Sequence, residues 1–167
     1  MKVSIGQDSH RFDEVRGAEG CLLGGVRFAG VPPFLANSDG DVVLHAVTNA
    51  VSGITGRNIL GPVADKMCRE GIRDSREYLA VALEDLRRQG YRICHLSVSI
   101  EGSRPKITPQ VESMKRSLGA LLQVPPEAIG ITATTGEGLT DFGRGLGVSV
   151  FCVLTVEALP EDALRVE

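Results

Sequence analysis

Two spacings of apolar residues alternate along this chain of 167 residues, and the alternation limits the folds that it can adopt. Residues 42–50, 78–86 and 111–122 place apolar side chains three or four positions apart, which predicts helices with one buried face. Residues 91–100 and 148–156 show the alternation or the short apolar run that is typical of strands. Further strands are predicted at 3–6, 22–28 (one strand, or a pair broken by glycines) and 129–135. The order β-β-α-α-β-α-β-β predicts the α/β class, as an α+β sandwich of a mixed β-sheet with helices packed on one face.

Capping patterns predict where two of the helices begin. Ser38-Asp39-Gly40-Asp41 is a candidate capping box with Ser38 as the N-cap and Asp41 at position N3. Asp74-Ser75-Arg76-Glu77 is a second candidate. Gly53 and Gly56 are expected to end the first helix, and residues 56–73 are expected to be irregular.

Composition narrows the class of partner. The net charge of −3 offers no basic excess for nucleic acid, and no apolar run reaches the roughly 18 residues of a membrane span. The four cysteines are scattered without a Cys-x-x-Cys pair, so we expect reduced thiols in a cytoplasmic protein. We expect a single domain, residues 1–157, followed by a polar C-terminal tail, residues 158–167.

A possible metal site is spread over two segments. Asp8 and His10 lie two positions apart in a polar stretch that we expect to be a loop or a strand end, and in an extended chain both side chains point to one side. His45 lies on the first long helix. One Asp and two His with an open fourth position form a common catalytic zinc site. Judged on spacing alone, ordinary surface or core histidines remain the favoured alternative.

Two other segments have side chains suited to phosphate. Residues 132–138 run from a strand into a glycine-rich turn, where hydroxyl and N–H groups can hold phosphate oxygens and Glu137 can hold Mg²⁺. Residues 103–106 include Arg104 and Lys106, which can pair with phosphate. A turn at a strand end and a solvated loop are the alternatives, and each is favoured when its segment is considered alone.

Taken together, the segments resemble the 2-C-methyl-D-erythritol 2,4-cyclodiphosphate synthase family from about residue 3 to residue 157. The most specific segment is residues 37–46, Asn-Ser-Asp-Gly-Asp-Val-Val-Leu-His-Ala. The other matching segments are Asp8-Ser9-His10, Gly24-Gly25-Val26, Pro105-Lys106, Ala133-Thr134-Thr135 with Glu137, and Gly143-Arg144-Gly145.

The resemblance implies a phosphorus–oxygen lyase of the non-mevalonate isoprenoid pathway. In the family reaction, the 2-phosphate of a CDP-linked methylerythritol attacks the β-phosphorus of the diphosphate, CMP leaves, and a cyclic diphosphate forms. The resemblance also implies that Asp8, His10 and His45 bind Zn²⁺ or another divalent transition metal. It implies that Glu137 holds a second ion, Mg²⁺ or Mn²⁺.

The resemblance assigns further roles on the substrate side and between subunits. It implies a small-molecule diphosphate substrate and a homotrimer whose active sites lie between neighbouring chains. Thr135 and Glu137 are the catalytic candidates, and Arg144 lies near the trimer axis. The residues implied to bind nucleotide or phosphate are Ser38, Pro105, Lys106, Ala133, Thr134 and Thr135.

Some positions depart from the family pattern, and most of them are on the methylerythritol side. Asn37 stands for a His, Asn49 for an Asp, and Ile59 for the Asp that receives the substrate hydroxyls. Residues 63–68 replace a Phe-Pro-Asp-Thr-Asp loop, while Thr132 and Leu146 replace a Lys and a Glu. We therefore expect weak activity on the usual substrate unless Asp65, Lys66 or Arg73 compensates.

Three functions remain open at this point. The first is a divergent synthase with the ordinary reaction. The second is a paralogue that acts on another nucleotidyl or isoprenoid diphosphate. The third is a non-catalytic trimer that binds isoprenoid diphosphates.

Overall fold

A computed structural model describes residues 1–160 of the chain. From position 161 onward, the predicted polar tail lies outside the described residues. The strands are β1 (Lys2–Arg11), β2 (Cys21–Leu23), β3 (Val26–Phe28), β4 (Tyr91–Glu101), β5 (Ile129–Thr134) and β6 (Gly147–Ala158). The helices are α1 (Val42–Thr55), α2 (Pro62–Arg69), α3 (Ser75–Arg88) and α4 (Val111–Leu122). Among residues 1–160, none of these helices combines the length and the apolar character needed to cross a membrane.

The main sheet has the strand order β1-β6-β4-β5, in which β4 and β5 are parallel and the other neighbours are antiparallel. Strands β2 and β3 form a separate two-stranded ribbon. On β4, Leu96 and Val98 are buried under the helices, whereas the intervening Ser97 and Ser99 are exposed. The strand directions confirm the predicted mixed sheet, and the alternation on β4 confirms that the helices cover one face.

Helix α1 lies unusually close to β1 because β1 carries a glycine at the contact. A Cβ added to Gly6 would overlap the Ala46 carbonyl oxygen and lie 2.6 Å from the Ala50 nitrogen. Ser4 lies two residues before Gly6 on the same face of β1, and its hydroxyl donates to the Ala50 carbonyl at 2.6 Å. This close packing brings the C-terminal half of β1, where Asp8 and His10 lie, against the first turns of α1.

The first turn of α1 is held by the buried carboxylate of Asp41. It accepts from the N–H groups of Val43 and Leu44, both at 3.1 Å, so Asp41 is the N-cap of the helix. It also accepts from Gly24 at 2.8 Å and Gly25 at 2.6 Å, whose left-handed backbones form the turn between β2 and β3. The predicted cap, Ser38 with Asp41 at N3, is therefore wrong by three residues, because the Ser38 hydroxyl is turned towards Gly40 and His45 instead.

Of the two alternatives for the polar stretch at Asp8 to His10, a loop or a strand end, the structure shows the strand end, because β6 pairs with β1 as far as Arg11. One other prediction needs correction. Residues 62–69 are helical rather than irregular, with Pro62 in the first turn and Ala64 buried. By contrast, the Asp74 cap of α3 and the left-handed Gly56 that ends α1 are confirmed.

We predict that Asp41→Ala lowers the free energy of unfolding by about 3 kcal/mol. The substitution removes a helix cap, which contributes about 1 kcal/mol, and leaves the buried Gly24 N–H without a partner, at about 1–3 kcal/mol. The matched control is Asp74→Ala, which removes the cap of α3 and its bond from Arg76 and should cost about 1 kcal/mol. Urea unfolding of both variants measures the difference, and equal losses would contradict the bridging role of Asp41.

Candidate metal centre and substrate cavity

An open cavity of about 540 Å³ lies at the contact of β1, α1 and α2. One wall carries Asp8, His10 and His45, and the loop before α1 contributes Asn37 and Ser38. The opposite wall is formed by α2 and the segment that precedes it. The cavity-lining residues on that wall are Asn58, Leu60, Gly61, Ala64, Asp65 and Cys68.

Three ligand-type atoms converge at one side of this cavity. The His45 Nδ1 atom lies 3.0 Å from Asp8 Oδ2 and 3.0 Å from His10 Nε2. Asp8 Oδ2 and His10 Nε2 are 3.4 Å apart. These three residues, here called the triad, form a group that can hold a metal ion. The structure thus brings together the two segments that carry the candidate metal ligands in the sequence.

The donor set fits a divalent transition metal. Ligand atoms bound to a tetrahedral ion at about 2.0–2.2 Å lie roughly 3.3–3.6 Å from one another. The separations in the triad, 3.0 to 3.4 Å, are close to that range. Two imidazole nitrogens and one carboxylate oxygen suit Zn²⁺, and the cavity side of the triad leaves room for a substrate oxygen as a fourth ligand.

Electrostatics within the triad favour the forms that bind metals. Burial lowers the pKa of His10, against the opposing effect of the Asp8 charge, and so favours the neutral imidazole. Burial alone would raise the pKa of Asp8, but the hydrogen bond with His45 and the charge of His10 hold that pKa below its ordinary value. A neutral imidazole and an ionised carboxylate are the forms that bind a metal ion.

The residues assigned to the nucleotide side lie elsewhere in the same chain. Ala133 and Thr134 are in β5, at the opposite edge of the sheet from β1, and Thr135 and Glu137 follow directly after β5. Three strand spacings separate the two edges, which corresponds to about 14 Å. Ala133, Thr134, Thr135 and Glu137 are here called the β5 group. Of the residues assigned to nucleotide or phosphate, Ser38 lines the cavity, whereas Pro105, Lys106 and the β5 group do not.

The turn after β5 has a strained backbone at Glu137. This exposed residue has φ 50° and ψ 25°, a left-handed backbone conformation that residues other than glycine adopt rarely. The Thr135 hydroxyl accepts from the Glu137 N–H at 3.4 Å. Backbone strain of the kind seen at Glu137 is often found where a side chain must be presented to a ligand.

Arg144, the residue assigned to the trimer axis, is also exposed and donates to Asp141 at 2.9 Å.

The positions that depart from the family pattern lie in different environments, some in the core and some on the cavity wall. Ile59 is fully buried in the core and lies outside the cavity lining, so the expectation that Ile59 replaces a substrate-facing Asp is wrong. Asn37 and Asn49 do line the cavity. Of the three candidates for compensation, Asp65 lines the cavity, whereas Lys66 and Arg73 do not.

Ser75 and, behind it, Asp39 also approach the triad, although neither was selected as a site residue from the sequence. The Ser75 hydroxyl lies 2.9 Å from His45 Nε2 and donates to Asp39. In the sequence, Ser75 is visible merely as part of a helix-capping pattern 30 residues beyond His45. No signal in the sequence links the start of α3 to the side chain of His45.

The fold and the site together define an α/β protein with a candidate metal centre open to a polar cavity. The family model of the YgbB family matches residues 1–157. A curated relative from Chlamydia caviae, 2-C-methyl-D-erythritol 2,4-cyclodiphosphate synthase, is 51% identical over 93% of this chain and 88% of its own. The chain therefore belongs to the YgbB family, that of the 2-C-methyl-D-erythritol 2,4-cyclodiphosphate synthases.

Solved structures share the fold over nearly the whole chain. The CDP-bound form of 2C-methyl-D-erythritol-2,4-cyclodiphosphate synthase superposes with a TM-score of 0.78 and 28% identity, over 93% of this chain and all of that one. The bifunctional IspDF from Campylobacter jejuni superposes with a TM-score of 0.82 and 25% identity. This match covers 98% of our chain but 43% of the bifunctional chain.

We predict that the metal-free protein becomes less stable as the pH falls. The pKa values of His10 and Asp8 are both lower in the folded chain than their ordinary values of 6.5 and 3.8. The unfolded chain therefore binds more protons in this range, and the free energy of unfolding rises with pH. The His10 contribution is complete above pH 6.5 and is lost as the pH falls towards the lower folded value.

Urea unfolding at fixed protein concentration, in the presence of a chelator and between pH 7.5 and about 5, measures this dependence; one proton contributes at most about 1.4 kcal/mol per pH unit. His10→Asn should flatten the curve. His95→Gln, which changes an exposed histidine on β4, should leave it unchanged. A wild-type curve as flat as that of His10→Asn would contradict the prediction.

Proposed function

We propose that this protein catalyses the reaction of its family, the conversion of a CDP-linked methylerythritol 2-phosphate into the cyclic 2,4-diphosphate and CMP. A bond forms between an oxygen of the 2-phosphate and the β-phosphorus, and the bond from the β-phosphorus to the bridging oxygen breaks, so that oxygen leaves with CMP. The observation that carries this proposal is the convergence of Asp8, His10 and His45 in the open cavity of a chain 51% identical to a curated synthase. This level of identity favours the ordinary synthase over a paralogue with another substrate.

Asp8, His10 and His45 would hold a divalent transition metal, with Zn²⁺ as the proposed ion. When bound, the ion supplies charge neutralisation for a phosphate oxygen, which is the main requirement of phosphoryl transfer. The chain itself favours the neutral imidazole of His10 and positions all three ligands on β1 and α1. Asn49, Asn58 and Asp65 line the cavity and offer amide and carboxylate partners for the hydroxyl groups of the sugar alcohol.

We further propose a homotrimer in which neighbouring chains complete each site. The metal triad and the β5 group lie at opposite edges of one sheet, so a second chain can place its Thr134, Thr135 and Glu137 beside the triad of the first. In this arrangement Pro105, Lys106, Ala133 and Thr134 hold the cytidine, Thr135 contacts phosphate, and Glu137 holds Mg²⁺ or Mn²⁺. Arg144 would lie near the threefold axis. Location in the cytoplasm stays a prediction.

The face of the main sheet that no helix covers within residues 1–160 supports the trimer. On this face, Val3 and Ile5 of β1 and Phe151 and Val153 of β6 are between 42% and 64% exposed. Ile5 and Val153 are direct cross-strand partners, so the apolar side chains form one continuous patch. Contiguous exposed apolar surface of this kind marks an interface between proteins.

We predict that light scattering gives a mass near three times the 17.8 kDa of one chain. Phe151→Glu should shift the mass towards a single chain and abolish CMP release, because it places a charge in the apolar patch and separates the two halves of the site. Val15→Glu is the control, since Val15 is 97% exposed on a short helical turn, Glu14–Arg16, that belongs to neither β1 nor β6. A wild-type mass of one chain would refute the shared site.

We predict that CMP release from the CDP-linked methylerythritol 2-phosphate depends on the triad. His45→Gln should lower bound metal from about one ion per chain to near zero and lower kcat/KM by at least a hundred-fold, because phosphate charge is no longer neutralised. His95→Gln should keep both metal and activity. Elemental analysis and a CMP assay measure the two effects, and full metal content in His45→Gln would show that the ligand assignment is wrong.

A further inference from the structure

The imidazole of His45 has hydrogen-bonding partners on both ring nitrogens. Nδ1 faces the triad, 3.0 Å from Asp8 Oδ2 and 3.0 Å from His10 Nε2. Nε2 points the other way and lies 2.9 Å from the hydroxyl of Ser75, a fully buried residue at the start of α3. A second hydroxyl, that of Ser38, is farther from Nε2, at 3.4 Å. The ring is therefore held between the metal site and an outer hydroxyl.

Ser75 is in turn held by Asp39, from the loop before α1. The Ser75 hydroxyl donates to Asp39 Oδ1, and the Ser75 N–H donates to Asp39 Oδ2 at 3.1 Å. Asp39 Oδ1 also accepts from the Asp41 N–H at 3.2 Å, and the Asp39 N–H donates to the Arg73 carbonyl at 2.8 Å. These contacts fix the carboxylate between the start of α1 and the start of α3.

The direction of each hydrogen bond in this chain of groups is determined by the carboxylate. An ionised carboxylate accepts and cannot donate, so the Ser75 hydroxyl proton must point at Asp39. The Ser75 oxygen then presents its lone pairs to His45 and accepts from Nε2–H. A neutral imidazole with its proton on Nε2 has its lone pair on Nδ1, which is the nitrogen that faces Asp8 and His10. Without an ion, the Asp8 carboxylate favours the opposite tautomer, in which Nδ1–H donates to Asp8 Oδ2. Ser75 and Asp39 therefore act against Asp8 and favour the tautomer that binds a metal ion.

We infer that Ser75 and Asp39 are positioning residues that select the tautomer and the orientation of His45 needed to bind the metal ion. The inference rests on the proposed metal site. Metal-bound histidines commonly donate their second N–H to an outer acceptor, and loss of that acceptor costs 10- to 100-fold in metal affinity. In this chain the acceptor is the Ser75 hydroxyl. Because Asp39 accepts the Ser75 proton, the Ser75 oxygen accepts from His45 Nε2–H and favours the tautomer with its proton on Nε2.

Two substitutions separate this role from simple structural support. Ser75→Ala removes the hydroxyl but keeps the backbone N–H that donates to Asp39. Asp39→Asn keeps the size of the side chain but adds a donor. The amide can then donate to the Ser75 oxygen, and the Ser75 proton can turn to His45 Nε2. That reversal favours a proton on Nδ1, which blocks coordination.

The test is zinc affinity, measured on the full-length protein by competition with a chelating indicator. Ser75→Ala and Asp39→Asn should each weaken zinc binding 10- to 100-fold, with circular dichroism spectra like that of the wild type. Ser75→Thr, which restores a hydroxyl, should recover most of the affinity. Asp74→Ala is the control at the same helix terminus, because it removes the α3 cap but none of the bonds to His45; it should leave zinc affinity unchanged.

A second measurement reports on the bond itself. In zinc-loaded protein with ¹⁵N-labelled histidine, the Nε2–H of His45 should give a proton signal protected from exchange, and Ser75→Ala should lose that protection. Wild-type zinc affinity in both Ser75→Ala and Asp39→Asn would overturn the positioning role and leave the proposed metal site intact. Failure of the wild-type protein to bind zinc, by contrast, would overturn the metal site and the positioning role together.

Discussion

The buried carboxylate of Asp41 is the interaction on which the geometry of the site depends. It joins the turn at Gly24 and Gly25 to the first turn of α1 through four backbone hydrogen bonds. The cap sets the residue at which α1 begins, and His45 lies one turn beyond it, on a helix that packs against β1 at Gly6. The position of His45 therefore follows from a contact made by a residue outside the triad.

The close approach of α1 and β1 turns that placement into a metal-type site. Gly6 lets the helix backbone reach the strand, and the period of two along β1 puts Asp8 and His10 on the same side as Gly6. Asp39 and Ser75 then connect the far side of the His45 ring to the start of α3. Three secondary-structure elements thus hold one imidazole, so the ligand geometry is set before any ion arrives.

Local patterns in the sequence predicted helices α1, α3 and α4, the strands and the cap at Asp74, because these depend on neighbours within a few residues. The cap of α1 was misplaced because Ser38 and Asp41 are both good capping residues, and the choice between them depends on the distant Gly24 and Gly25. At Asp8 the sequence left a loop and a strand end open, because its polar residues become extended only by pairing with the distant strand β6. Helix α2 was missed because its apolar residues are few and its support comes from Ala64 packing into the core.

The sequence by itself determined the ligand types, their place in the family pattern and the class of fold, because motif residues and apolar periodicity are encoded position by position. Only the tertiary structure decided that Asp8, His10 and His45 meet, that Ile59 enters the core while Asn49 and Asn58 line the cavity, and that Ser75 contacts His45. It also decided that the β5 group lies at the far edge of the sheet. The physical reason is that these relations arise from strand order and helix docking, which join residues far apart in the chain.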